Sequence, residues 1–170
     1  MINTTWPITE KLIHNALNLV EQLYQQLVTE ADTLKQSPSA ELVNQIASNK
    51  KQLVLQLEQF HIECGQILAM ATLPHSLEGI NLYFQQAEAA GFNAAELKSH
   101  WDQIQALCTL CKVLNEQNGM SIELLAHHTK RSSHILKGKS PSTSLYGPDG
   151  TTQSEPSNHS HNFILVWFWR

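Results

Sequence analysis

The chain has 170 residues, of which 42% are apolar, and a formal net charge of -4. That supplies one modest hydrophobic core and calls for no second domain. The acidic balance disfavours a general nucleic-acid binder, and the longest apolar runs, Ile67 to Leu73 and Phe163 to Trp169, fall far short of the roughly 20 residues a spanning helix needs, which disfavours stable membrane insertion.

The first residues, Met1-Ile2-Asn3-Thr4-Thr5-Trp6-Pro7, lack the basic stretch and apolar core of a secretory signal, so the expected compartment is the cytoplasm. Further on, Ile13, Val20, Leu27 and Leu34 recur at intervals of seven, with Ala16, Leu17, Leu23, Tyr24 and Ala31 beside them. A stripe with a period near 3.5 predicts an amphipathic helix able to stay in register with another along its length. Ser37-Pro38 breaks it. Pro38 suits the first turn of a second helix, with Ser37 as its cap and Glu41 near its positive end, so a tight helical hairpin is expected.

The second helix repeats the pattern with Ile46, Leu53, Phe60 and Ile67 at sevens and Val43, Leu57 and Cys64 interleaved. Lys50 falls on the same seam. A lysine there either fixes register or snorkels to solvent along its alkyl stem, and snorkelling is the expectation. Thr72-Leu73-Pro74-His75-Ser76 and Ala90-Gly91-Phe92-Asn93 bracket a shorter segment, about Leu77 to Ala89, which reads as a connecting helix.

Asn93 followed by Glu96 is close to a capping box and opens a third long helix through Leu97, Trp101, Ile104, Cys108 and Cys111. Running from Ala94 to Lys137 it would span roughly 65 Å at 1.5 Å per residue, against roughly 40 Å for each of the first two. Some of its length must then project or bend back, and that end is a candidate binding surface. Its seam continues through Asn115, Asn118, Ile122 and Leu125, with Gly119 alongside. Two asparagines on a seam fix register if their amides find partners, whereas an interior glycine marks a kink; both readings stay open. Lys130, Arg131, Lys137 and Lys139 complement the negative end of the helix dipole.

Beyond Gly138 the periodicity stops. Residues 139–170 read as a flexible tail, disordered alone, in which Leu145-Tyr146-Gly147-Pro148-Asp149-Gly150 is an isolated aromatic turn motif. The end, Phe163-Ile164-Leu165-Val166-Trp167-Phe168-Trp169, is intensely apolar; it is read first as a frameshift, artefact or variation, with a segment folding back on the helices or touching a membrane as alternatives.

No enzyme or metal reading prevails. Cys108-Thr109-Leu110-Cys111 has redox-like spacing, but it lies mid-helix on the buried seam, where small core residues are expected. Three cysteines in an apparently cytosolic chain argue for free thiols. His61, Cys64, His100 and the pair His127-His128 lack finger-like spacing, no nucleophile triad or phosphate loop appears, and no cofactor is implied.

The heptad hairpin with Lys50-Lys51-Gln52-Leu53, the Leu114-Asn115-Glu116-Gln117-Asn118-Gly119 segment and the Ser144-Leu145-Tyr146-Gly147-Pro148-Asp149-Gly150 tail together resemble the FlgN family of flagellar export chaperones, over roughly residues 10 to 152. The resemblance implies an all-α antiparallel long-helix bundle, residues 1–138, followed by the flexible tail. It implies a non-enzymatic type III export chaperone that binds hook-filament junction proteins through their C-terminal amphipathic segments, prevents premature assembly, and delivers them to the export gate at the inner membrane. By motif match Tyr146 takes the gate contact, with Leu145 and Gly147 shaping its presentation. Helical spacing makes Ile122, Leu125, Ile135 and Leu136 the candidate client contacts, with core packing as the alternative. The rival reading is a generic coiled-coil adaptor without an export role.

Overall fold

The computed structural model describes residues 2–36 and 38–137, which form four helices and no strands: α1 (Ile2–Leu34), α2 (Ala40–Met70), α3 (Leu77–Ala89) and α4 (Ala95–Leu136). Helix α2 runs back along α1, and α4 packs chiefly along α1 as well, reaching α2 through a few side-chain pairs. Asn118 of α4 meets Leu27 and Glu30 of α1, while His100 of α4 meets His14 of α1, so α4 advances in the same direction as α1. Phe60 of α2 lies beside Trp101, and Lys50 beside Asn115, which sets α2 opposite to both. The arrangement is the expected antiparallel bundle in up-down-up order, with the first and third long helices parallel.

The seam of α1 buries Ile13, Ala16, Val20, Leu23, Leu27 and Leu34, as the sevenfold spacing predicts. Helix α1 begins earlier than that pattern does. Trp6 is buried and stacks on Phe92 at 5.4 Å between ring centroids and on Tyr83 of α3 at 6.3 Å. The Tyr83 hydroxyl lies 2.8 Å from Thr5 Oγ1 and 3.0 Å from Thr9 Oγ1, and Trp6 Nε1 donates to Glu10 Oε1 at 2.7 Å. Each polar tip of this aromatic cluster is therefore paired. Replacing Tyr83 with phenylalanine removes a hydroxyl shared by two buried threonines. Its expected cost is about 1–2 kcal/mol, read from the urea midpoint.

The joints follow local chemistry. The cap of α2 is Ser39 rather than Ser37, which lies outside the described residues: Ser39 is extended, and its Oγ accepts the Leu42 amide at 3.3 Å. Pro38 thus precedes the helix instead of opening it, and Glu41 still falls in the first turn. Helix α2 stops where Thr72 takes a left-handed conformation, φ 59°, and α3 stops at Gly91, φ 91°. In both, the next residue reaches back five positions, Leu73 N–H to Leu68 carbonyl and Phe92 N–H to Ala87 carbonyl, and the same Leu73 and Phe92 pack on the core.

The connector falls at Leu77–Ala89 as predicted, capped by Ser76, yet it is more than a spacer, because Ile80, Tyr83, Phe84 and Ala87 belong to the core. Gly79 lies where a Cβ would come 1.9 Å from the Pro74 carbonyl oxygen, so the turn into α3 requires glycine. At the start of α4 the Ala95 amide donates to Asn93 Oδ1 at 3.2 Å. The capping box is not completed: Glu96 turns instead toward His14, at 3.9 Å.

Candidate functional site

Core packing along α4 ends in a polar layer. Glu30 is only 2% exposed, and its carboxylate accepts from Lys50 Nζ at 2.7 Å and from Asn118 Nδ2 at 2.8 Å. Asn118 also donates to the Leu27 carbonyl at 2.9 Å, and Lys50 reaches Asn115 Oδ1 at 3.4 Å. The lysine therefore does not snorkel. A buried carboxylate with no other cation beside it among the described residues draws Lys50 inward, because leaving that charge alone would cost more than ordering the lysine stem. Helix α4 continues through Gly119, whose missing side chain faces open space. Glu30 is concealed in the sequence, although it occupies the same sevenfold position as Ala16 and Leu23.

Past this layer α4 outruns its neighbours. Counting from Ile122, opposite the end of α1, its remaining 14 steps extend about 20 Å at 1.5 Å per residue. Ile122 and Leu125 are half-buried on the continuation of the core face, while Ile135 and Leu136 are exposed. A second apolar row lies on the opposite side of the same helix. Leu110, Val113, Met120, Leu124 and Ile135 are all exposed, and at 100° per residue they fall within an arc of about 80°, facing away from Trp101, Ile104 and Cys108. Spacing arguments that follow only the core seam pass over this row. The signal for it is the 3-7-4 spacing of Leu110, Val113, Met120 and Leu124. An apolar row of such length on a solvent face is a surface fit for a partner helix.

Among the described residues the remaining reactive groups are thiols and histidines. Cys108 and Cys111 are buried in the core and Cys64 is half-buried; burial raises the Cys64 thiol to about 11 and the other two to about 12, with the neighbouring Cys111 adding to the rise at Cys108. Such thiols are poor nucleophiles at neutral pH. The ligand candidates do not converge on Cys64. His61 stacks on His75 at 4.2 Å, in a space opened by Gly65, and burial, then the adjacent His75, lowers its pKa. His127 and His128 face each other at 6.3 Å on the projecting end of α4, and His100 lies beside His14. A cavity of about 20 Å³ between Ile13, Phe60, Tyr83 and Trp101 holds space for a single water at most.

Lys130, Arg131 and Lys137 are exposed toward the end of α4. No helix among the described residues is long and apolar enough to cross a membrane. Lys139, the tail motif Leu145, Tyr146 and Gly147, and the apolar end 163–169 lie outside the described residues. A family model described as FlgN protein matches residues 9–154. No curated protein and no solved structure matches the chain.

Proposed function

Because the chain belongs to the FlgN family of flagellar export chaperones, we propose that it binds hook-filament junction proteins, shields their C-terminal amphipathic segments, and delivers them to the export gate. The observation that carries this reading is the exposed row Leu110, Val113, Met120, Leu124 and Ile135 on α4. An amphipathic client segment has an apolar face that is unpaired before assembly, and a complementary row on a long helix covers it without enclosing it. Ile122, Leu125 and Leu136 extend the contact around the free end of the helix. The Glu30–Lys50–Asn118 layer, with Asn115 and Gly119 beside it, holds α4 in the register that presents the row. Release stays easy because the contact is one-sided.

In this reading Tyr146, flanked by Leu145 and Gly147, contacts the cytoplasmic domain of the export gate. Residues 1–138 are the helical chaperone domain, and residues 139–170 are the tail that docks it. No catalysis and no cofactor enter. The protein works in the cytoplasm and visits the inner-membrane export apparatus transiently.

The test is capture of hook-filament junction proteins from the same cell, intact and lacking the terminal amphipathic segment. Capture should disappear with the segment. Tyr146→Ala should abolish binding to the gate's cytoplasmic domain and leave client capture unchanged. A folded, monodisperse protein that captures neither client would overturn the chaperone reading and leave a helical adaptor.

A further inference from the structure

Three potential ligands from two helices meet at the end of the bundle near the α3–α4 turn. His14 lies on α1, Glu96 and His100 lie one turn apart on α4, and one ligand atom from each falls within 4.8 Å of the others. The two imidazole rings are 4.6 Å apart and nearly perpendicular, and His14 Nε2 is 3.9 Å from Glu96 Oε1.

We propose that His14, Glu96 and His100 form a binding site for a divalent d-block cation of the zinc type. His14 is held in place for it. Its Nδ1 lies 2.9 Å from the Glu10 carbonyl oxygen, which can only accept, so Nδ1 carries a proton and Nε2, the ring nitrogen beside Glu96, is the atom left to ligate. Such a backbone carbonyl behind a ligating histidine is the usual second layer of a metal site. His100 is not committed elsewhere: its Nδ1 is buried and finds no hydrogen-bond partner among the described residues.

Zinc bonds of 2.0–2.1 Å in a tetrahedron bring donors to about 3.3 Å from one another, so no pair has to close by more than about 1.5 Å. His14 and Glu96 are exposed and have the rotamer freedom to do so. Two imidazoles and one carboxylate suit zinc, nickel, cobalt or copper; magnesium and calcium prefer oxygen throughout. Three protein ligands leave a fourth position open to water. A bound ion would tie α1 to the first turns of α4 and hold the α3–α4 turn against the Trp6 cluster.

The test is calorimetric titration of the full chain with zinc chloride in a non-chelating buffer, repeated with magnesium chloride. One zinc equivalent should bind, and magnesium should give no signal. His14→Ala and His100→Ala should each weaken that binding by at least about tenfold, since even outer-layer partners are worth that much. The control His127→Ala/His128→Ala should retain it, which separates this site from the other histidines. Folding is monitored by helical circular dichroism, and His14→Ala, at an exposed position, keeps the test valid if His100→Ala loses stability. No zinc binding by the folded chain, equal binding of magnesium, or binding unchanged in His14→Ala would overturn the proposal.

Discussion

Glu30→Ala is expected to destabilise the bundle by about 3 kcal/mol, the lower end of the range for breaking a buried ion pair. The substitution removes the acceptor that Lys50 and Asn118 share, leaving the ammonium only the more distant Asn115 and the amide only the Leu27 carbonyl in a seam built for a carboxylate. The lower end applies because the Lys50 side chain is 18% exposed and can swing partly outward. Urea unfolding followed by helical circular dichroism measures the loss. A loss under about 1 kcal/mol would mean that the layer contributes no more than an ordinary surface pair. Glu30→Leu combined with Lys50→Met should recover most of the stability, because an apolar pair of similar volume avoids desolvating two charges. If the double variant is as unstable as Glu30→Ala, the ion pair itself contributes net stability.

Met120→Glu combined with Leu124→Glu is expected to weaken client capture about a hundredfold, with the melting temperature unchanged. Burying a large apolar side chain contributes about 1.5–3 kcal/mol, and losing about 1.4 kcal/mol, close to the lower end of that range, at each of two positions amounts to two decades in affinity. Both residues are more than half exposed, at 64% and 60%, so the isolated fold does not depend on them. Ile122 and Leu125 make the contrast. They are half-buried, and acidic substitutions there should lower stability and capture together. Undiminished capture by the Met120/Leu124 variant would remove the outer row from the proposed function.

The architecture is legible in the sequence because its cause is periodic. Sevenfold apolar spacing is the direct imprint of long helices packed side by side, and turn residues at Ser37 to Ser39, Thr72 to Ser76 and Ala90 to Asn93 mark every joint. The cap of α2 is misplaced by the sequence because serines flank Pro38 on both sides, and only backbone geometry selects Ser39. Lys50 misleads for a different reason. Its position on the seam is visible, but its partner is an acid 20 residues away on another helix, and pairing across helices is not encoded in spacing along one. The outer row on α4 escapes a seam-based reading because a helix with two apolar faces gives a weak one-sided signal. The cluster of His14, Glu96 and His100 has no sequence signature, since its members converge only when α1 and α4 run in the same direction.

That parallel pairing also decides when the core can close during synthesis. The amide of Asn118 meets a carbonyl 91 residues earlier in the chain, so the principal α1–α4 interface needs nearly the whole folded region to have emerged. Until then α1 has only α2 and, near its start, α3 to cover it, and closing so large a loop is entropically uphill before its contacts reward it. A nascent chain of this design therefore passes through a stage in which the flank of α1 that α4 will cover stands open. If its role is the proposed one of covering the exposed helices of others, it begins its own existence with the same exposure.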